Sequence, residues 1–111
     1  MSAIGRAQQQ GTATIPSSGT ESSRIGIGGM AWGSFKIPTG FDGSTISYEV
    51  SIDSGVSWAA LLKEDNTAHG DTAVTVGGVY NFPSSVFNAQ SVRLISASQT
   101  GEVVIPVHLK G

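Results

Sequence analysis

Few residues in this chain have the type and spacing that chemistry needs. Gly26-Ile27-Gly28-Gly29-Met30-Ala31 has the form G-x-G-x-x-A. Between a strand and a helix, that spacing lets backbone amides hold a pyrophosphate. The next residues, Trp32 to Pro38, carry no helical period, so the stretch reads as a glycine-rich strand and bulge near another backbone. His69 shares a charged loop with Glu64, Asp65 and Asp71. No Asp-x-Asp-x-Asp calcium loop accompanies them, and a solvated polar loop is expected. His108 falls on the polar face of the last strand. Glu49, Asp53 and Glu102 sit on polar faces or turns, where nothing raises a carboxyl pKa for acid–base work. No Gly-x-Ser-x-Gly elbow occurs, and the chain has no cysteine. No enzyme activity, metal or cofactor is expected.

One string is more specific. Ser51-Ile52-Asp53-Ser54-Gly55-Val56-Ser57-Trp58 fits S-x-D-x-G-x-[ST]-W. Asp53 can accept turn amides, Gly55 can take positive φ, and Ser57 can bond back across the turn. Trp58 is expected to cap the hairpin by packing on its core side. The string resembles the Asp-box hairpin of sialidases and other β proteins. In that family the box is structural and lies away from the catalytic site, and a single copy cannot make a propeller.

The elements around these residues are strands. The chain has 111 residues, and Gly, Ser and Thr make up a little over a third of them. Such residues form helices poorly, and charged residues are only 13%. Thr45 to Asp53 alternates strictly, with Ile46, Tyr48, Val50 and Ile52 on one face. Glu102–Lys110 repeats the pattern with Val103, Ile105, Val107 and Leu109. Ser23–Ile27, Met30–Ile37, Val56–Leu62, Thr72–Val76, Val79–Phe82 and Ser91–Ser98 add further short strands. Pro83 to Phe87 reads as one helical turn. Seven or eight strands at this spacing predict an all-β, antiparallel sandwich, jelly-roll or Ig-like, over 25–111. Residues 1–24 read as an extended N-terminal arm, with a short strand possible at Thr12–Ile15. An arm so polar orders only on another surface, and Ile4, Arg6, Ile15 and Arg24 are its candidate partner-contact residues.

Net charge is −2 and the six basic residues are scattered, so neither nucleic acid nor a membrane surface is an expected partner. Met1–Gln10 has no apolar run of signal-peptide type, and synthesis in the cytoplasm is the expectation.

The order from Lys36-Ile37-Pro38-Thr39-Gly40-Phe41 through the Asp-box-like hairpin to Val79-Tyr80-Asn81-Phe82-Pro83 and Ser91-Val92-Arg93-Leu94-Ile95-Ser96 resembles small β-rich virion proteins of tailed bacteriophages. These are of the capsid decoration or cement kind. The likeness spans Phe35 to Val107 and leaves out the arm. It implies a sandwich on the outer capsid surface of the virion that locks major capsid protein subunits together, as a homo-oligomer and often a trimer. Two alternatives stand beside it. One is a receptor- or carbohydrate-binding module of a phage head or tail fibre. The other is a minor tail or connector subunit.

Overall fold

The computed structural model describes residues 8–63 and 65–111. Nine strands are described: β1 (Gln8–Ile15), β2 (Ile25–Gly26), β3 (Trp32–Lys36), β4 (Thr45–Ser51), β5 (Ala59–Ala60), β6 (Thr72–Ala73), β7 (Val79–Asn81), β8 (Ser91–Ile95) and β9 (Val103–Lys110). A 3-10 turn, Ser84–Asn88, follows Pro83. The strands form two antiparallel sheets, β1-β9-β3-β7 and β2-β8-β4-β5, with β6 also pairing β4. Each sheet therefore takes every second strand along most of the chain. This is the double Greek key of a jelly roll, which settles the choice against an Ig-like order. The position usually held by one strand is divided here. β5 pairs Glu49 and Val50, while β6 pairs Thr45 and Ile46 at the other end of β4.

The alternation of β9 is complete, with Val103, Ile105, Val107 and Leu109 all buried. Ala13, Ile15, Phe35 and Ile37 lie beside them, and Ile25, Ile27, Ile46, Tyr48, Val92 and Leu94 face them from the second sheet. Two sheets with one apolar face each can bury those faces only against one another. Phe35 is 1% exposed, and its ring lies 5.1 Å from Phe82, 6.0 Å from Tyr80 and 6.3 Å from Tyr48.

Pro106 lies within central strand β9 without breaking the sheet. The β3–β9 register ends at Phe35–Val107, one residue before it. Proline lacks the N–H that the next rung would need. Beyond that point the chain turns to β7's side, where Ile37 N–H donates to Gly78 O and Gly77 N–H to Ile37 O.

Three sequence expectations are corrected here. The described part of the arm does not extend away from the domain. Gln8–Ile15 pairs with β9 through all eight residues, and Ile15 is fully buried. Residues 20–23 then run along β8: Ser96 N–H donates to Thr20 O, Ser22 N–H to Leu94 O, and Leu94 N–H to Ser22 Oγ. Alternating Ala13 and Ile15 supply the apolar face that makes this segment a strand of its own sandwich. Ile4 and Arg6 lie outside the described residues. The second correction concerns Gly26, Gly28 and Gly29, where no atom stands within 4 Å of an added Cβ. Close backbone approach occurs at Gly33 instead, where a Cβ would lie 2.6 Å from Leu109 Cδ2 and 3.0 Å from His108 O. The third concerns strand length. Regular pairing stops at Ser51 and resumes at Ala59, and the string between them is a network of side-chain bonds.

Candidate docking site

Residues 51–58 make a tight hairpin end. Ser54 and Gly55 take successive positive φ values of 61° and 87°, as a type I′ connection requires. Val56 N–H closes the turn on Asp53 O at 3.3 Å. Ser51 Oγ donates to Asp53 Oδ1 at 2.6 Å and accepts from Gly55 N–H at 2.9 Å. Asp53 Oδ1 also accepts from Ser57 N–H at 2.9 Å, and the Ser57 hydroxyl donates to Oδ2. Gln90 braces the turn from outside: its Oε1 accepts from Ser54 N–H at 2.7 Å, and its own N–H donates to Ser51 O. A non-glycine residue in the left-handed region is costly, and these bonds hold Ser54 there.

The Ser51 hydroxyl, followed by the Ser57 hydroxyl and amide, holds the Asp53 carboxyl down to about 2. The folded pKa lies below the ordinary value of 3.8, so the bonds stabilise the fold above that value and are lost as pH falls towards 2. Asp53→Asn should therefore lower Tm by a constant amount above about pH 5. Its curve should converge on that of the parent chain between about pH 4 and pH 2. Thermal melts at a series of pH values would read this.

Trp58 does not pack inward as expected. It is half-buried on the outer face of the second sheet, with the Arg93 guanidinium carbon 4.5 Å from its ring centroid. Arg93 is also bonded to Glu21 at 2.6 Å and to Glu49 Oε1 at 2.7 Å. The pairing of Glu49 with Arg93 places these charges side by side on the exposed face. The ring covers the arginine, and that stacking is worth ~1 kcal/mol at such a site.

Ile52 is the second departure. It shares the phase of Ile46, Tyr48 and Val50, yet burial fades along that row to leave Ile52 81% exposed. β4 ends at Ser51, so Ile52 lies in the turn and not in the paired strand. Val56, on the far side of the turn, is 85% exposed. A groove of about 530 Å³ continues from Ile52, bounded by Val50, Ala59, Leu62, Asn88 and Ala89. A turn fixed by six or more hydrogen bonds thus holds two aliphatic side chains in water. Rigid apolar groups of this kind lose little conformational entropy when a partner covers them.

The remaining expected site residues are separate from this hairpin or support it. Arg24, expected to reach another chain, donates from Nε to Ser91 Oγ at 2.7 Å and lies against Gly55. In the charged loop, Asp65 Oδ1 accepts from both the amide and the hydroxyl of Thr67. His69 stands edge-on to Tyr48, with its Nδ1 2.7 Å from Gly70 O. Among the described residues no group of three or more metal-ligating side chains converges. Sequence reasoning identified the hairpin but not the exposure of Ile52 and Val56. Strand alternation alone pointed Ile52 inward, but the strand ends one residue before it, at Ser51.

No protein-family model matches the chain, and no curated protein matches it. Among solved structures, the crystal structure of the SPBc2 prophage-derived protein YomS is similar at a TM-score of 0.58. It covers 95% of this chain and 96% of that one, at 19% sequence identity. The two chains share a fold.

Proposed function

We propose that this chain is a structural virion protein of a tailed bacteriophage, a capsid decoration or cement subunit that docks on major capsid protein subunits. The hairpin end carries the reading, because it holds Ile52 and Val56 rigidly in solvent beside an apolar groove. Such a surface gains free energy when a polypeptide covers it, at roughly 25 cal/mol per Å² of apolar area. The jelly-roll architecture recurs in viral shells, and the fold is shared with a prophage-derived protein. Fold likeness alone assigns no role, so the weight rests on the hairpin. Many copies on one shell would raise a modest single-site affinity through avidity if the subunits are themselves linked.

Co-sedimentation with capsids of the bacteriophage that carries the chain tests this. The chain should pellet saturably. The double variant Ile52→Asp/Val56→Asp should bind at least about tenfold more weakly, since each change puts a charge where apolar surface is buried. Its Tm should stay within a few degrees of the parent chain, because both side chains are exposed. Absence of capsid binding, or equal pelleting of the double variant, contradicts the reading. Saturable binding to a glycan array without capsid binding would favour the carbohydrate-binding alternative.

A further inference from the structure

The edge of β1 points to a second copy of this chain. Jelly-roll sheets have free edges, and three of the four here are short. β2 and β5 have two residues each and β7 has three. Short strands are a common defence against unwanted pairing. β1 has eight residues, and Gln8–Ile15 contains no charge and no proline. Those are two other usual defences, and this edge has neither.

The direction of its backbone groups follows from two bonds. Thr14 N–H donates to Ser23 Oγ at 3.0 Å, and Thr14 O accepts from Ser23 N–H at 2.8 Å. Thr14 therefore turns its backbone away from β9. In an antiparallel ladder the same holds at every second residue, so Thr12 and Gln10 also face outward. Among the described residues Ser23 closes the edge at Thr14, and nothing closes it at Gln10 or Thr12. Residues 8–12 are all exposed.

We infer that two copies pair antiparallel through β1, about a twofold axis at Gln10, joining two four-stranded sheets into one of eight. In that register Gln10 faces its own copy and Gln8 faces Thr12 of the partner subunit. The outward backbone groups of these residues then meet in pairs. On the opposite face of the strand, Gln9 lies over Gly11, where open space surrounds the glycine. No like charges oppose one another, which an isologous interface requires of its central residues. The inference does not rest on the virion role, since any chain with this edge would pair in the same way.

The test is the mass in solution of the full chain, by sedimentation equilibrium over about 1–100 µM, a range that brackets modest dimer affinities. The expected result is a dimer of twice the 11.4 kDa chain mass. Gln10→Lys and Gln10→Glu should each weaken it at least about tenfold, by setting like charges across the axis. An equimolar mixture of the two variants should restore the dimer. In the parent chain, the Gln10 and Thr12 amides should exchange more slowly with deuterium as concentration rises. A monomer at the top of that range overturns the inference. So does a dimer that survives both variants, or one that leaves the Gln10 amide unprotected, since another surface would then hold it. None of these results would bear on capsid docking by the hairpin.

Discussion

Phe35→Ala should lower stability by about 3–5 kcal/mol and Tm by roughly 15 °C, as truncation of a fully enclosed aromatic does. Phe35 stands where the sheets meet. It belongs to the first sheet and touches Tyr80 and Phe82 on its own side, while Tyr48 reaches it edge-on from the second. An alanine would remove the ring from all three contacts at once. Phe35→Leu restores most of the volume and should recover more than half of the loss. Urea unfolding monitored by tryptophan fluorescence reads both. A loss below about 1.5 kcal/mol for the alanine variant would mean that the core packs otherwise.

Gln99→Leu should cost about 2–4 kcal/mol despite adding an apolar residue to a buried position. The Gln99 side chain is 1% exposed and makes four bonds. Its Oε1 accepts from Asp42 N–H, and its Nε2 donates to Asp42 O, Ala97 O and Ser96 Oγ. Its backbone bonds Ser18 and Gly19 as well, so one residue ties three loops together. The neighbouring Thr100 amide, and then its hydroxyl, hold the Asp42 carboxyl below its ordinary value, fixing the same corner. Leucine would leave the backbone N–H and O of Asp42 without the partners that Gln99 supplies, while Ala97 O would keep only the Ser96 hydroxyl. Gln99→Glu separates shape from hydrogen bonding. As a carboxylate it would face two carbonyl oxygens, so its folded pKa should be raised above the unfolded value. The variant should therefore be most stable below that unfolded pKa and lose stability as pH rises through the folded one. Parallel melts of the two variants across pH measure this.

Much of the fold is legible in the residues, for physical reasons that differ by segment. β9 and most of β4 alternate cleanly, because each has one face on the core and one in water. The turn at Ser54-Gly55 is readable because its bonds are local, made within the string from Ser51 to Ser57. What escapes sequence reading depends on distant partners. Gln8–Thr12 looks like a polar arm because its side chains are polar, yet β9 recruits it through backbone bonds that carry no residue signature. Gln99 looks like any turn glutamine until Asp42 is brought beside it from 57 positions away. Trp58 and Arg93 are 35 positions apart, and only the pairing of β8 with β4 stacks them. Ile52 carries the phase of a core residue, yet pairing of β4 ends at Ser51 and leaves it exposed in the turn.

The Ser51, Asp53, Ser57 and Gln90 bonds make the turn rigid, and Ile52 and Val56 stand exposed on it between β4 and β5. Rigidity lowers the entropy lost on binding, and the aliphatic pair supplies the apolar area. A structural role in a shell asks for both.

A reconstruction of the phage particle with this chain bound is the most direct measurement. The expected density is one jelly roll per site on the outer capsid, with the 51–58 turn seated against a major capsid subunit and Ile52 and Val56 covered. Density for the chain elsewhere in the particle, or on the capsid with that turn pointing into solvent, would contradict it.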